Sequence, residues 1–307
     1  MPLGLSYPGL KCVLEHLEAV KRAHIIGRSP GLQKIDKLIP LRLKNLYIGS
    51  EEMTFNNLII RYYYKDDVEF ETDKKTFSRQ STESREDRMK KFINYFFCGR
   101  SIINVDTLRW FDDLFPDFLP VDMKFIVNSL SAVSFSFNTA IPFIDPRSFP
   151  LKTLFTSIAN TSIFDIQVVK SAETLNLNLN VDRIVTVEDL KKLNNKKVVF
   201  ERVYYSRIDF ISLIVPLIKY HIETKKDIRT TFVILSVYED FINYMLREFE
   251  QAFGEYRSDL DGVNERFLPE SSRFSIPISD KSKIHVYATK GSQKGFYEII
   301  VKPVLGK

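Results

Sequence analysis

The sequence predicts an α/β fold: short N-terminal helices, then an irregular leucine-rich-repeat-like stack of strands and helices, closed by a C-terminal antiparallel β hairpin cap. Three observations predict it. Apolar residues recur at helical spacing in the first forty residues. Short β-forming runs recur between Ile102 and Val237, with helical or turn-rich segments between them. Three more strand-like runs follow a long amphipathic helix near the C-terminus. The 307 residues suffice for one large domain or a small module joined to a larger one, and 44% hydrophobic residues can fill a sizeable core.

The elements can be justified in order. In SYPGLKCVLEHLEAVKR, residues Leu10, Val13, Leu14, Leu17 and Val20 form one face of a helix. Ser6 is its candidate N-cap, Pro8 sits in the first turn, and the run ends near Gly27. A lone helix of this length is marginal in water and needs a surface to lie against. Ser29-Pro30 opens a second short helix whose apolar residues are Leu32, Ile35, Leu38 and Ile39, closed by Pro40. LRLKNLYIG then alternates Leu41 and Leu43 and, after a slip, Leu46 and Ile48; NLIIRYYYK is strongly strand-forming. The polar stretch at about 66–88 is expected to be a flexible loop. RMKKFINYFFCG is a helix stopped at Gly99.

The repeat reading rests on the runs INVDTLRW, MKFIVNSL, LKTLFTSI, ETLNLNLNV, KKVVFERVY and TTFVILSVY. Leu154 and Leu175 hold equivalent positions in LKTL and AETL, twenty-one residues apart, as stacked strand-plus-helix units would place them. No Asn or Cys follows the strands, so the repeat is irregular; a doubly wound or mixed sheet is the competing arrangement. DFINYMLREFEQAFGEY is an amphipathic helix, and RFSIPIS, KIHVYATK and GFYEIIVKPV are three antiparallel strands that would cover the last edge of the stack.

Function classes narrow mainly by what is missing. The net charge of +5 is mild, and of the basic clusters at Lys74-Lys75, Arg85 to Lys91 and Lys191 to Lys197 the middle one is interleaved with Glu86 and Asp87, so a nucleic-acid partner is not expected. No run reaches the roughly eighteen apolar residues of a membrane helix, and MPLGLSYPGL lacks the basic-then-apolar pattern of a signal peptide, so a cytoplasmic or nuclear protein without a membrane partner is expected. Cys12 and Cys98 form no CxxC pair and are expected as buried free thiols. The histidines 16, 24, 221 and 285 lie far apart with no metal-ligand spacing, and no nucleophile elbow or phosphate loop occurs. Asp259-Leu260-Asp261-Gly262 is a turn rather than a calcium loop. Trp110 is expected in the core, and Arg61-Tyr62-Tyr63-Tyr64-Lys65 as a strand with one wet face. A catalytic site, a cofactor and a metal are therefore not expected; a hydrolase would need a pocket gathering His221 and Glu223 with a Ser or Asp. The residues read as a protein-interaction module.

A family resemblance sharpens this. SYPGLKCVLEHLEAVKR, RSPGLQKIDKLIPLRLKNLYI, INYFFCGRSIINVDTLR, IPFIDPRSFPLKTL, SAETLNLNL, VEDLKKLNNKKVVF, YHIETKKDIRTTF, FINYMLREFEQAFGEY and RFLPESSRFSIPI, in this order, resemble the nematode F-box C-type proteins with their F-box-associated domain of unknown function. The resemblance implies a segment at 1–40 that is a degenerate F-box and a domain at 41–307 that is F-box-associated. It implies a substrate-recognition subunit of a Skp1–cullin–F-box ubiquitin ligase, binding the Skp1 adaptor, through it cullin, and an unknown protein substrate. Tyr7-Pro8 stands where an F-box has Leu-Pro, and Pro8, Leu10, Val13, Leu14, Leu17 and Ile25 are the residues it assigns to Skp1 docking. No Trp precedes residue 110 and Pro30-Gly31 interrupts the last F-box helix, which makes the F-box degenerate. The competing reading is a stand-alone repeat-like scaffold that has lost Skp1, its first helices packed on the strands near Leu43 to Ile48 as an end cap.

Overall fold

A computed structural model of the chain describes residues 7–62, 67–72, 75–80, 82–111, 118–158, 161–178, 185–201, 211–291 and 294–305. Ser6, Tyr63, Tyr64 and Lys65 lie outside them. The fold is mixed α/β, and the chain divides into two compact units, Met1–Phe149 and Pro150–Lys307.

In the first unit, α1 (Tyr7–His16), α2 (Ala19–Gly27) and α3 (Pro30–Lys37) precede β1 (Leu41–Ile48). β2 (Glu52–Phe55), β3 (Leu58–Tyr62), β4 (Asp67–Thr72) and β5 (Lys75–Gln80) form an antiparallel meander leading into α4 (Arg85–Phe96). β6 (Ile103–Trp110) and β7 (Ile126–Ala132) follow, and α5 (Phe137–Ala140) lies among short 3-10 turns. The strand order here is β7-β6-β1-β2-β3-β4-β5, with β7, β6 and β1 parallel. The slip read between Leu43 and Leu46 recurs in register in the next strand, where Val105 pairs with Leu43 and Leu108 with Leu46, and again at Val127 and Leu130. All of these side chains are buried, whereas Arg42, Asp106, Arg109 and Asn128 face water, so this sheet is apolar on one face and polar on the other. The apolar face carries a chain of rings: Phe55 stacks on Phe96 at 4.5 Å and lies 5.5 Å from Phe97, which meets Phe125 edge-on at 5.5 Å. Trp110 is fully buried; its Nε1–H donates to Thr139 Oγ1 at 3.1 Å and its ring stacks on Phe143.

Three expectations are corrected. The apolar run up to Gly27 is two helices, because the Glu18 carboxylate accepts from the Val20 and Lys21 backbone N–H groups and starts a new helix. The segment expected as a flexible polar loop at 66–88 instead holds the β4–β5 hairpin and the start of α4, whose N-cap is Ser84. Cys12 is exposed and Cys98 half-buried, so neither thiol is a core filler. Gly99 follows α4 with φ of 76°, the left-handed conformation expected of a helix stop.

In the second unit, β8 (Thr153–Ser157), α6 (Gln167–Ser171), β9 (Thr174–Asn178), α7 (Val187–Lys191), β10 (Lys197–Glu201), α8 (Ile211–Thr224), β11 (Thr231–Ser236) and α9 (Glu239–Phe253) alternate strictly. β8, β9, β10 and β11 are parallel and adjacent in chain order, each reached from the last by a helical crossover. Leu154 pairs with Leu175, the two positions read as equivalent, and the row continues through Val198 to Phe232 by longer steps. β12 (Phe274–Ser279), β13 (Ser282–Lys290) and β14 (Tyr297–Leu305) close the order antiparallel, as β12-β13-β14-β11. α9 buries Ile242, Met245, Leu246, Phe249 and Phe253 on one face, and Phe249 lies 6.3 Å from Phe274 of β12.

Candidate functional site

The residues assigned to Skp1 docking divide between core and surface. Leu14 is 1% exposed, while Leu10 and Leu17 are half-buried. Pro8 is exposed, and Val13 and Ile25 are 44% and 43% exposed. Tyr7 on α1 and Leu38 at the end of α3 add further exposed apolar side chains. One side of α1 and α2 therefore belongs to the core of the first unit, and the other carries apolar surface into water.

A buried charge cluster fixes these helices. Arg22 (2% exposed) and Arg100 both pair with Asp36, Nε on one carboxylate oxygen and Nη2 on the other. Further N–H groups of both go to carbonyls at and just beyond the end of α3, while Arg100 Nε donates to Phe96 O at 2.7 Å. Arg22 donates to Asp36 O at 2.9 Å, Ile39 O at 3.1 Å and Pro40 O at 3.0 Å, and Arg100 to Asp36 O at 2.8 Å and Ile39 O at 3.1 Å. Two guanidinium groups thus satisfy a helix C-terminus that no glycine cap closes, where the helix dipole favours cations. Desolvation lowers the pKa of the adjacent Lys37, with the Arg100 charge adding to it; its Nζ–H groups donate to Tyr95 O at 2.7 Å and Asn94 O at 3.3 Å. Arg22 is a strut between α2 and the C-terminal end of α3, and a 170 Å³ cavity adjoins it. Nothing local in the sequence pairs residue 22 with residues 36 and 100.

A larger feature escaped the sequence reading. Between the β4–β5 hairpin and α4 lies a groove of 890 Å³, lined by Phe70, Phe92 and Tyr95 with Arg79, Arg88 and Lys91. Phe70 sits between Phe77 (4.9 Å, stacked) and Phe92 (5.5 Å). The sequence signals for it were Val68 and Phe70, alternate apolar residues, and Phe77 further along the same polar stretch.

The residues a hydrolase would need lie around His221. His221 Nδ1 lies 2.8 Å from Lys226 O, beside a 420 Å³ cavity that Asp227 and Tyr220 also line, while Glu223 is exposed. Burial lowers the pKa of His221, against the opposing effect of its hydrogen bond to Lys226 O, and the Lys191 and Lys226 charges lower it further. Among the described residues, no group of three His, Cys, Asp or Glu could hold a metal ion, and no helix is long and apolar enough to cross a membrane.

The class defined by this fold and these surfaces is a mixed α/β chain with apolar N-terminal helix surface and an open peripheral groove. Residues 84–235 match the family model of a domain of unknown function, DUF3557. The match runs from the N-cap of α4 into β11; it leaves out α1–α3, the β2–β5 meander and the C-terminal antiparallel strands. Neither a curated protein nor a solved structure matches the chain.

Proposed function

We propose that this chain is a non-enzymatic protein-interaction module, the substrate-recognition subunit of a Skp1–cullin–F-box ubiquitin ligase in the cytoplasm or nucleus. In this reading α1 and α2 meet the Skp1 adaptor, cullin follows through it, and the rest of the chain captures a protein whose ubiquitination is carried out by the partner ligase. The repeat-like run of strand–helix units from β8 to β11 is the scaffold of that capturing domain. The observation that carries the reading is the exposed apolar side of α1 and α2, where Pro8, Val13 and Ile25 face water although Leu14 beside them is core. Interfaces place such anchors at their centres. A double variant, Val13→Asp with Ile25→Asp, tests it. Capture of Skp1 from solution by the wild type should be lost in the variant, with the melting temperature unchanged. Equal capture by both proteins contradicts the assignment.

A second reading, a scaffold that has lost Skp1, is favoured by the burial of Leu14 and Arg22, which makes the helices part of the first unit's core. Deleting residues 1–28 does not separate the two, since that core would be damaged under either. Wild-type capture of Skp1 does, and failure to bind supports the scaffold.

A further inference from the structure

Strand β5 ends the strand order of the first unit, and among the described residues only β4 pairs with it. All six of its residues are exposed. The register with β4 sorts their side chains by face: Thr72 opposes Lys75, Phe70 opposes Phe77 and Val68 opposes Arg79. Val68 and Phe70 line the groove against α4, so Lys75, Phe77 and Arg79 stand on the groove side. That side of the edge reads cation, aromatic, cation at alternate positions. Phe77 remains 56% exposed despite stacking on Phe70, and deeper in the groove Lys91 is paired with Glu83, so the positive charge of this side rests on Lys75 and Arg79 at the edge. The other face of the hairpin has the opposite sign: Arg61 is surrounded there by Glu52, Glu69 and Glu71.

We infer that the open edge of β5 takes an extended peptide segment of a partner protein as an added strand, with the pattern acidic–x–apolar–x–acidic facing the groove. The inference rests on the reading of the chain as a protein-binding module and names the surface that would do the binding. Backbone hydrogen bonds along the edge would hold the segment, two carboxylates would face Lys75 and Arg79, and the apolar side chain would cover Phe77. A second copy of this chain is disfavoured by the same register. An antiparallel β5–β5 pair centred on Phe77 sets Lys75 against Arg79 twice, and like charges directly opposed are destabilising.

The test uses the full chain and a labelled nonapeptide with Asp, Phe and Glu at its third, fifth and seventh positions and Thr elsewhere, read by fluorescence anisotropy. The parent peptide should bind, and the same peptide with alternate backbone amides N-methylated along the pairing edge should not. Lys75→Glu with Arg79→Glu should weaken the parent peptide by about tenfold and restore affinity to a peptide carrying Lys in place of Asp and Glu. Both side chains are exposed, so the melting curve of the variant should match the wild type. No binding of the parent peptide, equal binding of the N-methylated one, or no rescue by the charge-swapped pair would each overturn the inference. Dimerisation of the wild type through β5 would do so as well. Skp1 capture is measured separately on the same preparation, so loss of the ligase reading and loss of the β5 inference are told apart.

Discussion

The outermost strands of the two units, β5 in the first and β12 in the second, meet the same physical problem in opposite ways. An outer strand leaves a row of backbone groups unpaired, and chains usually blunt such edges with proline, bulges or covering segments. β12 has all three. Pro277 interrupts it, its register with β13 shifts between Pro277 and Ser279, and Arg257 bridges Phe274 from the outer side while Ser258 N–H donates to Arg273 O at 3.0 Å. β5 carries no proline and has a regular register over all six residues. Its charges, Lys75 and Arg79, share a face with an exposed Phe77 above a groove. Among the described residues, proline, a register shift and a covering segment occur at the β12 edge and not at β5, where charge alone guards the edge, which is why β5 is the one read as a binding surface.

Four perturbations sharpen the comparison. The largest effect is expected from Asp36→Ala, which leaves two buried guanidinium groups facing each other without their shared carboxylate. About 3–5 kcal/mol should be lost, and hydrogen exchange should report it in α2, α3 and α4, the last being the wall of the β5 groove, before the β12–β14 strands. Phe249→Ala should cost about 3 kcal/mol and act on the other edge, loosening α9 from β12; equal exchange at β12 in variant and wild type would contradict this packing.

Two smaller effects follow from titration. Tyr287, on β13, is pushed up to about 12 by burial, with the Glu265 charge adding to it. A raised pKa means that the folded state retains the phenolic proton, so stability present below about pH 10 should be lost as pH rises through 12. Spectrophotometric titration at the phenolate band and alkaline unfolding check it. The smallest effect is at Asp145. Its side-chain hydrogen bonds with Arg147, at 2.9 and 2.8 Å, hold its carboxyl down to about 2. Its contribution is present above about pH 4 and is lost as pH falls toward 2. Arg147 is well exposed, so Asp145→Asn should cost under about 1 kcal/mol by chemical unfolding at neutral pH.

What could be read from sequence follows from where each pattern is set. The slip between Leu43 and Leu46 and the pairing of Leu154 with Leu175 were legible because a buried strand face imposes its period on the residues themselves. The C-terminal strands were legible because turns separate strongly alternating runs. The β4–β5 hairpin was not, because only one face is partly covered and its sequence is mostly polar. The break between α1 and α2 depends on Glu18, an uncommon cap, whose carboxylate also accepts from Asn56 Nδ2 at 2.6 Å across a distant turn. Of the candidate site, the apolar helix spacing was visible, but the spacing could not tell that Leu14 turns inward while Val13 and Ile25 turn out. The Arg22–Asp36–Arg100 cluster joins three distant segments and has no local signature.

The most direct measurement is hydrogen exchange on the full chain with and without the Asp-x-Phe-x-Glu peptide. Added protection is expected at β5 and along the α4 wall of the groove, with β12 unchanged. Unchanged exchange at β5, or equal protection at both edges, would contradict the assignment of β5 as the binding edge.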